Sequence, residues 1–249
     1  MARFFRHLTR LLACLFLFWQ ASLPAQTPAS FAKDSLSFTV YAPTESPAWA
    51  RLHYLDGAKE PVKLLFHSNR RSAPIKILGA PKSMIFGVEH IDPVTRQKTY
   101  VPVTEAAWPK SALATLVVFT IPDGTKPQVQ ATAVDDGLKA FPLRSVRLFN
   151  STSVTLLGKV ADFQGEVPSG ISPGHPYLVQ SADPSVVGVV PLAFAINDPK
   201  EGVRLLYKGN CDAWPLGRSL IFILPPAQGS TDLRLRVLVD SPPYSAEKL

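Results

Sequence analysis

The chain has 249 residues, 46% of them hydrophobic and 18% charged, with a formal net charge of +7. Its 24 prolines are about a tenth of the chain, roughly twice the usual share. Proline is kept out of helix interiors and central strands, so long-helix, coiled-coil and parallel α/β architectures are excluded. The apolar content excludes a disordered chain, and two cysteines exclude a disulfide-knitted miniprotein. A β protein punctuated by loops remains.

The N-terminus reads as an address. Arg3, Arg6 and Arg10 form a positive region ahead of the apolar run Leu11 to Trp19, and Gln20 to Ala25 supplies a short polar stretch with cleavage after Ala25. This is the three-part pattern of a secretory signal peptide, with Ala29 as a second cleavage candidate. The apolar run is half of the ~20 residues that span a bilayer, so no permanent transmembrane anchor is expected after cleavage. A lipoprotein signal at Leu11-Leu12-Ala13-Cys14 is the rival, but its apolar residues follow the cysteine instead of preceding it. Cleavage removes three arginines and no acid, taking the formal charge from +7 to +4. That excess is spread along the chain, whereas a nucleic-acid partner would select a clustered basic patch. Cleavage also removes Cys14, leaving Cys211 alone in a turn-like stretch, read as an inert buried thiol.

After a leader at 26–35, short apolar runs alternate with turn clusters at the spacing of a sandwich or barrel. Strands are expected near 36–41, 50–54, 62–67, 75–78, 84–90, 98–103, 116–121 and 127–134. A second set is expected near 145–150, 153–160, 176–180, 186–196, 203–207, 219–224 and 232–239. The near-continuous apolar run Val186 to Ile196 reads as one long strand with a bulge or kink at Gly188–Pro191.

The two sets share a rhythm. Val62-Lys63-Leu64-Leu65-Phe66 matches Val146-Arg147-Leu148-Phe149, Trp108-Pro109 matches Trp214-Pro215, and Leu116 to Pro122 matches Leu220 to Pro225. Each half closes on an alternating strand, and the closing hairpins stand about a hundred residues apart, one immunoglobulin-sized unit. The expected fold class is therefore all-β: two tandem immunoglobulin-like β-sandwich domains after a signal peptide. The boundaries are 1–25 for the signal peptide, 26–35 for the leader, 36–136 and 145–240 for the sandwiches, and 241–249 for a tail.

Candidate chemistry is sparse. Gly170-Ile171-Ser172-Pro173-Gly174, followed by His175, has the spacing of a nucleophile elbow. The residue after the serine must donate a backbone N–H to the oxyanion, and Pro173 has none, so a surface loop is the better reading. His53, His67, His90 and His175 fall in no ligand spacing, so no metal and no cofactor is expected. Asp135-Asp136-Gly137 is one acidic pair, short of a calcium loop; it reads as a strand end and turn, with Asp240 in the same place in the second half. Trp108 and Trp214 precede the same strand in each half and read as a shared core or rim plug. Trp49 has no counterpart and is the surface candidate, able to stack on a sugar ring or anchor a partner. Arg70 and Arg71, with Lys63, Lys76 and Lys82, make the first half basic; the charge protects a sheet edge or attracts an acidic envelope polymer. Trp49, Arg70 and Arg71 are thus the possible contacts for a partner or glycan, and no catalytic residue is expected.

Ala133-Val134-Asp135-Asp136-Gly137-Leu138-Lys139-Ala140-Phe141-Pro142 leading into Ser145-Val146-Arg147-Leu148-Phe149-Asn150, then Ser219-Leu220-Ile221-Phe222 and its hairpin, resembles secreted β-sandwich proteins of environmental bacteria. That family implies the architecture and no activity. In length and domain plan the chain is also similar to periplasmic pilus chaperones, which lend an edge strand to a client subunit. Their aromatic strand leading into Ile-Pro-Pro is missing, so no residue is carried over. The expectation is a non-enzymatic secreted or periplasmic binding or structural accessory of the cell envelope, partnered by an envelope protein or a surface polysaccharide. A carbohydrate-binding module or chaperone-like assembly factor is the alternative, and a hydrolase ranks third.

Overall fold

The computed structural model describes residues 36–56, 60–121, 128–177 and 186–240. The expected signal peptide, leader and C-terminal tail lie outside the described residues, as do the turn at Pro122-Asp123-Gly124 and most of the strand expected at 176–180.

Local sequence sets the strands. In the first half they are β1 (Leu36–Tyr41), β2 (Leu52–Leu55), β3 (Val62–Lys63), β4 (Ile75–Ile77), β5 (Ser83–Ile91), β6 (Lys98–Ala107), β7 (Ala114–Thr120) and β8 (Gln130–Asp135). In the second they are β9 (Ser145–Asn150), β10 (Leu156–Val160), β11 (Phe163–Val167), β12 (Gly170–Pro176), β13 (Gly188–Asp198), β14 (Gly202–Ala213), β15 (Arg218–Leu224) and β16 (Arg234–Asp240). Among the described residues these sixteen strands form four open sheets, ordered β4-β1-β7-β8, β3-β2-β5-β6, β12-β9-β15-β16 and β11-β10-β13-β14. The second pair of sheets is the first pair with eight added to every strand number. The resemblance extends to detail: β1 runs parallel to β7 as β9 does to β15. The register shifts after Phe86 of β5 and after Phe194 of β13, where β6 and β14 carry Val103 and Leu206 as extra residues, so both halves share a bulge at the same place. A repeat is thus present in the fold, and two β-sandwich-like halves are built on one plan, but the expected match of Val62–Phe66 with Val146–Phe149 fails: β9 is the counterpart of β1, and β3 that of β11.

Each half has its own core. Phe38, Val40, Leu52, Tyr54, Phe86, Val117 and Phe119 fill the first; Val146, Leu148, Leu156, Val160, Phe194, Ile221 and Ile223 fill the second. A third cluster joins them. Alternation along β1, β7, β9 and β15 sends Tyr41, Leu116, Val118, Phe149, Leu220, Phe222 and Leu224 out of their own sandwiches and against one another. The β4-β1-β7-β8 and β12-β9-β15-β16 sheets therefore pack face to face, giving four layers with three apolar seams. That is why all six residues of β9 and all seven of β15 are buried. A strand covered on both faces reads as a continuous apolar run. The described residues belong to one compact unit.

Three local expectations change. The Gly170–Gly174 stretch is strand β12, not a loop; a register break between Ile171 and Gly174 lifts Pro173 out of the ladder, and Gly170 takes φ +102°. Strand β11 was not among the expected strands: its hairpin turns at Ala161-Asp162, with Ala161 at φ 51°, in place of the Gly or Asn that marks such turns. No register shift falls at Gly188–Pro191 of β13; the shift lies opposite Phe194–Ala195, where β14 carries Leu206 as the extra residue. Pro191 is tolerated because β10 pairs β13 only over residues 192–195, leaving its missing N–H outside that ladder.

Candidate functional site

The described residues place most of the polar chemistry at the two ends of the middle seam. At one end the inter-domain segment is pinned. Asp135 Oδ1 accepts from Gly137 N–H at 2.9 Å, and Phe141 N–H donates to Gly137 O at 2.9 Å, closing a tight turn. Phe141 is fully buried between two guanidinium groups, Arg147 and Arg218, each 4.6 Å from its ring centroid. Asp136 directly follows β8 and Asp240 ends β16, and these equivalent carboxylates meet around Arg71 and Arg218. Arg218 Nε reaches Asp240 at 2.9 Å and its Nη2 reaches Asp136 at 3.1 Å. Arg71 pairs with Asp136, and with Asp240 at 2.9 Å. Arg218 Nη1 also donates to the carbonyls of Asp136 and Phe141 at 2.9 and 2.7 Å, and Arg147 to those of Asp135 and Ala140 at 2.8 and 2.6 Å. Burial lowers the Arg147 pKa, partly offset by Asp136. The result is a clasp: three arginines and two aspartates from both halves, closed over the connecting segment.

Beside the clasp lies a pocket of about 420 Å³ whose lining includes Ser37, Thr39, His67, Arg70, Arg71 and Asp136. At the opposite end of the seam a cleft of about 780 Å³ opens between the halves. Thr120, Gln130 and Thr132 lie on its first-half wall, and Ser151, Ser153, Arg204 and Arg234 on the other, above a floor that includes Phe149 and Leu224. The described residues lining it include two arginines and no carboxylate near its floor.

The three expected contact residues part company. Trp49 is 5% exposed and is not a surface platform. Ser46 caps and Pro47 opens a 3-10 turn over Pro47–Arg51, which folds the indole into the first core near Phe66 and Phe119, with its N–H donating to Thr44 O at 2.7 Å. Arg71 is buried in the clasp, so it holds the halves together, while Arg70 stays exposed at the mouth of the smaller pocket. Lys63 and Lys76 sit on the edge strands β3 and β4, where charge discourages edge-to-edge pairing. Trp108 is a plug, its N–H on Ala112 O at 3.1 Å, but Trp214 is 37% exposed, so the pair does not share one role. Iodide should quench the wild-type chain measurably more than Trp214→Phe; equal quenching would place the accessible indole elsewhere.

The remaining motifs are structural in their contacts. Ser172 Oγ accepts from Leu148 N–H at 3.0 Å and donates to Pro173 O at 2.8 Å, tying the bulge of β12 to β9. His175 stacks on Phe163 at 3.9 Å, and burial lowers its pKa. Among the described residues no three His, Cys, Asp or Glu side chains gather as metal ligands would. No described helix is long and apolar enough to cross a membrane. Cys211 is buried, and burial with Asp212 pushes its thiol up to about 11. Iodoacetamide at about pH 8 should modify it only after the chain is unfolded, since the thiolate is the reactive form; ready alkylation of the folded chain would show the site opens. Compared with known proteins, the chain matches no family model and no curated sequence.

The clasp and the cleft were not foreseen. The Asp136–Asp240 correspondence was visible in the sequence, but their convergence depends on how the sheets stack, and no local pattern encodes that.

Proposed function

We propose that the protein is a secreted or periplasmic, non-enzymatic accessory of the cell envelope: two immunoglobulin-like sandwiches that hold an envelope component in the cleft between them. The observation that carries this reading is the cleft itself. At about 780 Å³ it falls in the size range of ligand sites, and it combines an apolar floor with hydroxyl, amide and guanidinium groups on its walls. The seam and the clasp fix its two walls relative to each other, and a fixed site loses little freedom on binding. The arginine-led apolar N-terminus supports the compartment. An aromatic sugar-stacking face is the weaker reading, because Trp49 and Trp108 are both in the first core.

Photo-crosslinking amino acids at Gln130 and Ser153, in the cleft, should capture one dominant envelope component in living cells. The same probe at Val94 and Val189, 87% and 65% exposed but not among the residues lining the cleft, should capture none. Capture from the outer positions alone would overturn the reading.

A further inference from the structure

Among the described residues the four open sheets leave eight edge strands, and an edge presents unpaired backbone groups to any strand that can reach it. Six are guarded by their backbone or by a neighbour. β3 and β4 are only two and three residues long. β6 carries Pro102 and the extra residue Val103, β14 carries the extra residue Leu206, and β12 is broken beside Pro173. β8 lies against β6. Two regular edges remain. In β11 the apolar residues Phe163 and Val167 pack against the second core, so no apolar side chain stands open. β16 differs: it pairs with β15 over all seven residues in unbroken register, and two of its valines are uncovered.

Alternation turns Leu235, Val237 and Val239 of β16 toward the second core, but only Leu235 packs there. Val237 and Val239 are 40% and 39% exposed. The first-half counterpart of Val237 is Ala133, since Ile221 pairs with Val237 as Val117 pairs with Ala133. Ala133 packs against its own core. The difference lies in the strand opposite. Where β6 lies against β8, β14 crosses from β16 to β15. At the start of β16, Leu233 N–H donates to Leu206 O at 3.3 Å; at the other end of β14, Ser219 Oγ of β15 donates to Asp212 O at 3.4 Å. The clasp end of β16 is left bare, and a notch opens along Val237 and Val239.

The opposite face of β16 sets the charge of what fits. Arg234 and Arg236 are both exposed there. Arg234 Nε donates to Pro225 O at 3.0 Å, and neither guanidinium has a carboxylate partner among the described residues. A second copy of β16 laid antiparallel on this edge would set four arginines on one sheet face, which like-charge repulsion opposes. An acidic strand is attracted instead, so the two charges select a partner while repelling a copy. Alternation fixes the rest of its chemistry. Side chains paired with Arg234 and Arg236 are acidic, and those between them are apolar and enter the notch. We propose that β16 receives an extended segment of a partner polypeptide in which acidic and apolar residues alternate. Only Arg234 is shared with the lining of the cleft, so the proposal does not rest on a ligand there.

The test is fluorescence anisotropy on the full chain with a labelled peptide of Val-Glu repeats, blocked at both ends. It should bind saturably, with a Kd of about 1 mM or tighter. A block peptide of the same composition, all valines and then all glutamates, should bind about tenfold more weakly, and so should a Val-Lys repeat. Arg236→Glu should exchange the two preferences, weakening the glutamate repeat and strengthening the lysine repeat. Arg236 is exposed, so the melting temperature of that variant should stay close to wild type. Hydrogen exchange locates the peptide: amides of residues 234–240 should slow on binding, and those of β14 should not. Absence of saturable binding would overturn the proposal. Equal binding of the alternating and block peptides would do the same, as would protection at another edge. Crosslinking from Gln130 and Ser153 in the cleft is unaffected by any of these results, so the two readings fail separately.

Discussion

Arg218→Ala should cost about 3–5 kcal/mol of folding stability, measured as a fall in the urea midpoint with little change in slope. Arg218 is 3% exposed and Asp240 is 2% exposed. Removing the guanidinium leaves Asp240 and Asp136 sharing Arg71 alone, strips a donor from the carbonyls of Asp136 and Phe141, and uncovers one face of the Phe141 ring. A buried pair adds little relative to well-packed apolar groups, but half of one is expensive, because the surviving charge keeps its desolvation penalty. Arg218→Lys should fall between, since an ammonium reproduces the charge but not the planar fork that reaches two carboxylates and two carbonyls. The internal control is Lys98→Ala. Lys98 pairs with Glu89 at 3.2 Å, but its side chain is 61% exposed, so its loss should cost less than about 1 kcal/mol. If Arg218→Ala were as mild as Lys98→Ala, the clasp would contribute nothing to holding the halves together.

Phe222→Ala should cost a similar amount, about 3–5 kcal/mol, and should also change the form of the melting curve. Phe222 is fully buried in the middle seam, with ring centroids 4.9 Å from Tyr41 in the first half and 5.7 Å from Phe149 in the second. Truncation opens a cavity between the two inner sheets and leaves each outer core intact, because Phe222 belongs to neither. Calorimetry should show one transition in the wild type and two in the variant, as the sandwiches lose the contact that couples them. Phe194→Ala, in the second core, should cost as much but destabilise its own half first. A single transition in Phe222→Ala would mean that the clasp alone couples the halves.

The strands were legible because most of them pair local apolar runs with turn chemistry. Leu36–Tyr41 and Ser145–Asn150 have the bounds expected from sequence, and the duplicated pattern around Leu116 and Leu220 matched a duplicated topology. What the sequence did not show was the destination of the second face. Leu220-Ile221-Phe222-Ile223-Leu224 has no polar alternation, which was itself a signal that β15 is covered on both sides. Trp49 misled because Ser46-Pro47-Ala48-Trp49 looks like an exposed turn, whereas the cap bends the chain so that the indole points inward. Arg71 misled for the opposite reason. A charged residue beside another arginine reads as solvated, and only the arrival of Asp136 and Asp240 from distant strand ends buries it. Both sites at the seam share that limit, since their residues come from both halves or from strands far apart in sequence.

The parallel pairing of β1 with β7 and of β9 with β15 bears on how the chain comes into being. A chain extended from its N-terminus completes the first sandwich while the outer face of its inner sheet, with Tyr41, Leu116 and Val118, still has no cover. That cover is β15, and the last aspartate of the clasp arrives with the final residue of β16. The half-made molecule therefore carries an adhesive apolar sheet until its last two strands are in place, the condition in which transient intermediates aggregate or pair with the wrong copy. Because the two halves share a topology, the wrong copy is close at hand: the inner sheet of another chain's first sandwich offers a comparable apolar face. Assembly of this protein is thus a race between finishing its own C-terminus and meeting a neighbour. Truncations that remove β15 and β16 should lose that race even though the first sandwich retains all eight of its strands.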